Sequence, residues 1–433
     1  MLRNPAKGLS LSAASCLESS AERRLRDHLL PLIFFAFLYW GIMQHVHALD
    51  FRESIATSAM VLASVLLLPL VIFGRAPSPM KASSVFFWLV FFLIGLSSAN
   101  FALSSDNAFE QLQLYFSVFL LGIGFSVWCG RPSRRMITGF LLAFCVAHTF
   151  ILITVLAFAS GLAGDPMDRL ARVPFHSNIR HVAHHGMVSA CAGLSLFLMG
   201  GRLRLAGYLL GAFSIFGLVF LGQRGGLLGL GVFVGAAALV LQNCRRQMIV
   251  AAAVTVAVSV ATTYVLDGYG IKNRFSGSLV ERVETQGADV FTSSSGRIAI
   301  WKSSVELAMQ HPLRGNGPDG FRVSAIGHSF RGISQSHNLF FQAFVELGFP
   351  GLILVCWFLY RTITPRLREL WKNRNASGAE AGGVLLFAML LGFMGMSLVE
   401  GLFYHPISLV IFSVLAPLAM AASSQGTVEG PTS

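Results

Sequence analysis

The sequence has few charged residues and lacks the motifs by which many enzymes hold nucleotides and metal ions. Only 12% of its 433 residues are Asp, Glu, Lys or Arg, whereas a soluble domain usually has about 25%. No Gly-Lys dipeptide occurs, which excludes a Walker A phosphate-binding loop. The HExxH zinc motif and the Asp-x-Asp pattern of nucleotide-sugar metal sites are also missing. Energy for a reaction must therefore come from the substrate or from an ion gradient.

The cysteines do not form the pattern of a disulfide framework or of a zinc site. There are six of them, none in a CxxC spacing and none between Asp267 and Ser336. We therefore expect no disulfide bonds and no bound metal.

Apolar residues make up 54% of the chain and are concentrated in segments long enough to cross a membrane. A spanning helix needs about 20 such residues. We therefore predict an all-α integral membrane protein with about twelve transmembrane helices. They lie near residues 28–48, 54–73, 84–104, 111–128, 136–162, 184–200, 205–221, 225–242, 248–266, 337–360, 383–402 and 405–424.

Lys and Arg are distributed unevenly between the loops on the two sides of the predicted membrane. If the N-terminus is inside, nineteen of the 32 lie on the cytoplasmic side and five in short outer loops. The positive-inside rule then places both termini in the cytoplasm, so the net charge of +12 reflects topology rather than nucleic-acid binding. The predicted order is a cytoplasmic tail (1–27), transmembrane helices 1–9 (28–266), a long outward-facing loop (267–336), transmembrane helices 10–12 (337–424) and a cytoplasmic tail (425–433).

The long loop contains one predicted amphipathic helix, from Arg297 to Gln310. Its apolar residues recur at helical spacing. Ser295 is the candidate N-cap, His311 and Pro312 end the helix, and a glycine-rich turn follows at 315–320. Such a helix lies on the membrane surface or covers the end of the helix bundle.

Three basic residues on the predicted outer face are candidates for binding and reacting with an anionic substrate. Arg224 lies in a short Gly-Gln-Arg-Gly turn, where glycines expose backbone amides at a helix N-terminus. Arg297 opens the loop helix, where a cation opposes the helix dipole and calls for a nearby anion. His337, with Ser336 as candidate cap, stands where the aqueous loop meets a membrane helix. A histidine at this boundary is suited to be a general base.

Each of these residues also has a purely structural interpretation. Arg224 is equally explained as an interfacial arginine, Arg297 as a solvated charge, and His337 as an interfacial histidine. Glu400, near the outer end of span eleven, is a candidate to orient one of the basic residues. Further candidates for substrate contacts are Arg180, His181, Arg314, Arg322 and Arg331.

Two other groups of polar residues do not form a recognisable site. The histidines from His176 to His185 have no carboxylate or cysteine in a fixed pattern, which favours polar contacts or packing over metal binding. Glu346 lies nine residues after His337, so on one helix it faces a different direction.

Four motifs in fixed order resemble the O-antigen ligase family of the O-antigen ligase/polymerase superfamily. They are Gly-Gln-Arg-Gly at 222–225, Ser-Gly-Arg-Ile-Ala-Ile-Trp at 295–301, His-Pro-Leu-Arg-Gly-Asn-Gly-Pro-Asp-Gly-Phe at 311–321, and Ser-His-Asn-Leu-Phe-Phe-Gln at 336–342. The resemblance implies a GT-C-like glycosyltransferase architecture in the inner membrane of a Gram-negative bacterium, with its active site facing the periplasm. It also implies functional roles for Arg224, Arg297 and His337, and for an acid matched here by Glu400.

The function implied by the resemblance is transfer of a polysaccharide from undecaprenyl pyrophosphate to the lipid A–core oligosaccharide during lipopolysaccharide biosynthesis. Arg224 and Arg297 would bind the donor pyrophosphate and His337 would be the general base. The reaction would be inverting and need no metal, ATP or other cofactor. The alternatives are an O-antigen polymerase, a protein O-oligosaccharyltransferase and, from a different class, a polysaccharide or lipid transporter. Only two acids, Glu346 and Glu400, lie inside predicted spans, which weakens the transporter alternative.

Overall fold

The computed structural model describes residues 27–36, 51–73, 82–129, 132–159, 182–268, 296–324, 335–372 and 381–423. Within these ranges the chain is helical and forms no strand. The helices are α1 (Asp27–Ala36), α2 (Phe51–Phe73), α3 (Ala82–Ala99), α4 (Ser105–Cys129), α5 (Arg134–Ala159), α6 (Val182–Met199), α7 (Arg204–Phe220), α8 (Arg224–Val240), α9 (Arg245–Gly268), α10 (Arg297–Gln310), α11 (Gly320–Val323), α12 (Leu339–Lys372), α13 (Ala381–Met396) and α14 (Pro406–Ser423).

The helices have the lengths and the apolar surfaces of an integral membrane protein. Five segments in the described ranges are long and apolar enough to cross a membrane: Ser105–Val127, Arg134–Ala157, Val182–Met199, Gln242–Leu266 and Leu339–Arg368. The other seven predicted spans coincide with shorter apolar helices. The all-α membrane class is therefore confirmed, while the number of twelve spans stays a prediction. Both predicted tails, apart from Asp27, and most of the periplasmic loop lie outside the described residues.

Helix α6 forms the centre of the bundle. It packs against α5, α7, α8 and α13, and only Phe197 among its residues is not buried. Its closest approach is to α7, because a Cβ atom at Gly193 would lie 2.4 Å from the Cα atom of Gly211. Small residues allow this contact between helix backbones, as in many membrane helix pairs. Helix α6 is therefore packed closely against α7.

The predicted loop helix is present as α10 and packs on the first part of α12. Ile300, Leu307 and Ala308 form a small apolar cluster with residues of the turn and of α12, namely Phe321, Phe344 and Val345. The predicted boundaries Arg297 and Gln310 are confirmed, and His311 is the C-cap. The N-cap prediction is wrong, because Gly296, with a φ of 74°, occupies that position. Glycine adopts a left-handed backbone conformation without steric cost, which explains why it occupies the N-cap position.

Helix α12 is interrupted at Gly348, whose φ of 68° and ψ of −165° are not helical. Pro350 has no N–H group, so Glu346 loses its normal helical donor. The backbone oxygen of Glu346 instead accepts hydrogen bonds from the Ser98 hydroxyl at 2.7 Å and from the Gly317 N–H at 3.1 Å. The Phe349 N–H donates to the Pro312 oxygen at 2.7 Å. The glycine-rich turn after α10 is thus bonded to the kink, which fixes both relative to the site.

Candidate active site

Three of the residues singled out in the sequence meet at one end of the bundle. The Nη2 atom of Arg297 forms an ion pair with the Oε1 atom of Glu400, and both side chains are largely buried. The other carboxylate oxygen, Oε2, lies 3.6 Å from the Nδ1 atom of His337. A single carboxylate therefore contacts the candidate donor-binding arginine and the candidate base, although these residues come from α10, the connection between α13 and α14, and the segment before α12.

Glu400 also lies against the start of α8, where Arg224 is the first residue. A Cβ atom at Gly225 would lie 2.6 Å from Cγ and 2.9 Å from Oε1 of Glu400. The carboxylate is thus seated at a helix N-terminus, where unpaired amides and the helix dipole favour a negative charge. The Gly-Gln-Arg-Gly turn was predicted as an anion site, and in this structure the neighbouring anion is Glu400. Arg224 is partly buried and immediately precedes this contact.

The position of Glu400 differs from the predicted one. The prediction placed it inside span eleven, but α13 ends at Met396 and Glu400 lies in the connection to α14. The N–H groups of Val399 and Glu400 still bond back to the Met396 oxygen, at 3.1 and 3.0 Å. This tight turn brings the carboxylate to the end of the bundle, where it meets groups from other elements.

The surroundings of Glu400 keep it ionised. Burial raises the pKa of its carboxyl group, but the contact with His337 and the charge of Arg297 outweigh burial and lower the pKa from 4.5 to about 2. Near neutral pH the site therefore contains a fixed negative charge beside Arg297 and the start of α8.

His337 has a left-handed backbone conformation, with a φ of 51°. This is uncommon for a residue other than glycine and is typical of functional sites. The prediction that His337 occupies the first helical turn with Ser336 as cap is wrong, because α12 begins at Leu339. Asn338 is the cap: its Oδ1 atom accepts hydrogen bonds from the N–H groups of Phe340 and Phe341, at 2.9 and 3.2 Å. His337 therefore precedes the helix and is turned towards Glu400.

The histidine cluster before span six contributes one residue to the same region. The Nδ1 atom of His184 lies 2.7 Å from the Ser408 hydroxyl, and its ring centre lies 5.3 Å from that of His405. The Nε2 atom of His405 is 2.7 Å from Nε2 of Gln335, two residues before His337. His184 also lies within electrostatic range of Glu400. Its position at the start of the buried α6 makes it part of the wall of the site, and spacing alone did not distinguish it from its neighbours.

The remaining candidates are not all at this site. Arg314 contacts His311 and the ring of Phe101, and Arg322 bonds to Asp319 and Asn107. Neither of these contacts joins the Glu400 cluster. Arg180, His181 and Arg331 lie outside the described residues.

Glu346 also stays away from His337, and its carboxylate bonds to Gln342, to the Asp319 N–H and to Tyr115. Sequence reasoning missed the roles of Gln342 and Asp319, although both lie in motifs that it quoted.

The site has the chemistry of an anion-binding site next to a carboxylate–histidine pair. Among the described residues, no group of three His, Cys, Asp or Glu side chains is arranged to hold a metal ion. Guanidinium groups and a helix N-terminus bind phosphate groups through charge-assisted hydrogen bonds. A carboxylate beside an imidazole fixes the orientation of the ring.

Comparison with known proteins agrees with these observations. Residues 209–356 match the family model described as O-antigen ligase, and no curated protein matches the chain. The matched segment includes Arg224, Arg297 and His337, whereas Glu400 lies beyond it and is joined to the site by its contacts. Members of the superfamily are glycosyltransferase-like enzymes, either ligases or polymerases. The match supports membership of the O-antigen ligase superfamily.

Proposed function

We propose that the protein is an O-antigen ligase, which transfers a polysaccharide from undecaprenyl pyrophosphate to the lipid A–core oligosaccharide. The transfer takes place at the periplasmic side of the inner membrane of a Gram-negative bacterium, with both termini in the cytoplasm and a GT-C-like architecture. The observation that supports it best is the convergence of Arg297, His337 and the start of α8 on Glu400.

The proposed donor suits a site that has arginines and needs no nucleotide. A glycosyl pyrophosphate is already activated, so neither ATP nor a nucleotide sugar is required outside the cytoplasm. Arg224, Arg297 and the amide groups at the start of α8 bind the pyrophosphate and stabilise the charge that develops on it as it leaves.

His337 is the general base in the proposed reaction. The Nδ1 atom faces Glu400, so the carboxylate favours the tautomer with the proton on Nδ1 and leaves the Nε2 lone pair available. Nε2 takes the proton of the acceptor sugar hydroxyl, whose oxygen forms the new bond to the anomeric carbon of the donor. The bond from that carbon to the pyrophosphate oxygen breaks, and undecaprenyl pyrophosphate leaves with the electron pair. One displacement from the opposite face inverts the anomeric configuration.

Deletion of the gene separates this function from its alternatives. Loss of a ligase leaves long glycans on the undecaprenyl carrier and bare lipid A–core. Loss of a polymerase instead leaves single repeat units attached to the core, and loss of a transporter traps the donor in the inner leaflet. Analysis of lipopolysaccharide and of lipid-linked glycans therefore decides between them, and complete lipopolysaccharide in the deletion strain would refute the proposal.

Purified protein tests the proposed roles of the residues. His337→Ala removes the base, which typically contributes about 10²–10⁴-fold to a rate, and should leave donor binding largely intact. Arg224→Ala should weaken donor binding as well as turnover. Arg314→Ala is the matched control, because Arg314 contacts His311 and Phe101 rather than the Glu400 cluster. If His337→Ala transferred glycan to lipid A–core at the wild-type rate, the assignment of the base would be wrong.

A further inference from the structure

Two residues other than glycine have a positive φ within the described ranges, and both lie beside the proposed site. They are His337, with a φ of 51°, and Asp319, with a φ of 63°. Such conformations are unfavourable for most residues and persist where surrounding contacts hold them. The contacts that hold Asp319 include bonds to Tyr404, Glu346 and Arg322.

A continuous set of buried hydrogen bonds joins Asp319 to both sides of the site. On one side, the Tyr404 hydroxyl donates to Oδ1 of Asp319 at 2.7 Å, and Tyr404 follows Glu400 by four residues. On the other side, the Asp319 N–H donates to Oε1 of Glu346 at 2.9 Å. The same oxygen accepts from Nε2 of Gln342 at 2.6 Å.

The last bond of the set reaches the residue next to the proposed base. The Ser336 N–H donates to Oε1 of Gln342 at 2.8 Å. The path from Tyr404 through Asp319, Glu346 and Gln342 to Ser336 thus links the Glu400 connection to the His337 segment. We refer to this path as the Asp319 frame.

The left-handed conformation of Asp319 is consistent with this role, because its backbone N–H and its carboxylate must bond in two directions. The N–H points to Glu346 while Oδ1 receives the Tyr404 hydroxyl. The second carboxylate oxygen, Oδ2, accepts from Nε of Arg322 at 2.7 Å, and Arg322 is in turn bonded to Asn107 at the start of α4. The side chain of Asp319 is fully buried, and a buried charge is tolerated when it is paired and hydrogen-bonded.

Direct hydrogen bonds also join the segment that contains His337 to the segment that contains Glu400. The contribution of the frame therefore has to be distinguished from theirs. The Leu339 N–H donates to the Ser397 oxygen at 3.0 Å, and Nδ2 of Asn338 donates to the Leu398 oxygen at 2.8 Å. These bonds hold the start of α12 against the end of α13 on one side of the pair formed by His337 and Glu400. On the other side of that pair, Nε2 of Gln335 lies 2.7 Å from Nε2 of His405, and the frame links the residues next to these two, Ser336 and Tyr404.

We propose that Asp319 and Tyr404 are positioning residues that hold His337 and Glu400 at their working separation through the Asp319 frame. This rests on the proposed function for its catalytic consequence, but the frame itself is a physical claim about the two segments. If the frame is cut, His337 moves relative to Glu400 while the donor-binding arginines keep their places. Turnover should then fall, and the KM for the donor should change little.

The experiment compares Tyr404→Phe with Tyr360→Phe in purified full-length protein. Tyr404→Phe removes only the hydroxyl that donates to Asp319, whereas Tyr360 lies on the exposed face of α12. We expect kcat to fall by about 10- to 100-fold in Tyr404→Phe, since a misplacement of about 1 Å costs up to about 100-fold. Hydrogen–deuterium exchange of the peptide that contains residues 335–342 should become faster. Tyr360→Phe should match the wild type in both measurements.

A second variant interrupts the frame at its other end, so that the test does not depend on whether Tyr404→Phe folds normally. Gln342→Met removes the bonds to Ser336 and Glu346 with little change in side-chain volume. Because both variants interrupt one path, the double variant should be no slower than the slower single variant, whereas independent effects would multiply. Asp319→Asn, which keeps an acceptor oxygen and tolerates a left-handed backbone, should retain more activity than Asp319→Ala.

The outcomes separate the frame from the proposed function. Wild-type kcat in Tyr404→Phe, or multiplied losses in the double variant, would overturn the positioning role. If the protein transfers glycan to another acceptor instead of lipid A–core, the proposed function fails, and the same variants measure the frame on that reaction. If no transfer is found, the exchange measurement decides: unchanged exchange over 335–342 in both single variants overturns the frame.

Discussion

Gly225 leaves the space in which the Glu400 carboxylate lies, so replacing it with alanine tests whether that placement matters. The added Cβ atom would lie 2.6 Å from Cγ and 2.9 Å from Oε1 of Glu400. Carbon atoms pack at about 3.5–4.0 Å, so the two groups must separate by about 1 Å. The atoms that yield belong to a side chain and not to the backbone. We therefore expect the fold to survive and the Glu400 side chain to move.

The movement displaces the carboxylate from its contacts with Arg297 and His337. A misplacement of about 1 Å costs up to about 100-fold in rate, which corresponds to about 2.7 kcal/mol of transition-state stabilisation. The assay measures transfer of glycan from undecaprenyl pyrophosphate to lipid A–core by purified protein in lipid nanodiscs. Gly225→Ala should be slower by about that factor.

Gly231→Ala is the matched control, because it lies on the same helix and an added Cβ atom there meets no heavy atom within 4 Å. This variant should transfer glycan at the wild-type rate. Its melting temperature should be equal or higher, since alanine is favoured over glycine in a helix by up to about 1 kcal/mol. If Gly225→Ala melted like this control and was equally active, then the position of Glu400 at the start of α8 would have no role in the reaction.

Three further variants test separate parts of the site. Because the pKa of Glu400 is lowered, its ionised form stabilises the protein above pH 4.5, and this stability is lost as the pH falls towards about 2. Glu400→Gln should therefore lower the melting temperature at pH 7 and remove this part of the pH dependence of the melting temperature. If the variant and the wild type had the same curve of melting temperature against pH, the ion pair would be contradicted. Asn338→Ala should cost about 1 kcal/mol of stability through loss of the cap, seen as a lower melting temperature that Asn338→Asp restores only in part, because Asp keeps the cap acceptor but cannot donate to the Leu398 oxygen. Arg297→Lys keeps the charge but loses the planar fork, so we expect a higher KM for the donor and slower turnover; unchanged kinetics would show that only the charge matters.

Local patterns in the sequence were enough to predict the helices that present the site. The boundaries of α10 were predicted correctly because apolar spacing and the His311-Pro312 stop are local signals. The caps were predicted less well. Gly296 and Asn338 replace Ser295 and Ser336, since each cap depends on how the chain enters the helix from a tertiary contact. The left-handed His337 follows from the same contacts and has no signal in its own sequence.

The contacts between distant segments could not be read from spacing. Arg297 and Glu400 are separated by 103 residues, and although the sequence made Glu400 a candidate to orient a basic residue, it did not indicate which one. Glu400 was predicted inside a span because the apolar run continues past it, whereas α13 ends at Met396 and the chain turns there. Asp319 looked like an ordinary turn residue beside Gly320, and only its three bonds in the folded chain show its position between the two halves of the site.

An ionised carboxylate in a site proposed for pyrophosphate has to be reconciled with the binding of that anion. Arg297 contacts Glu400 through Nη2, and a guanidinium group has five N–H donors in a planar fork. One edge can therefore stay on the carboxylate while the other binds a phosphate oxygen, which a lysine cannot do with the same fixed geometry. Glu400 then orients the guanidinium before the donor arrives, and the N-terminus of α8 beside the carboxylate offsets its repulsion. On this argument Glu400 is needed because it holds Arg297 and His337 in one geometry, so its removal should harm catalysis more than donor binding.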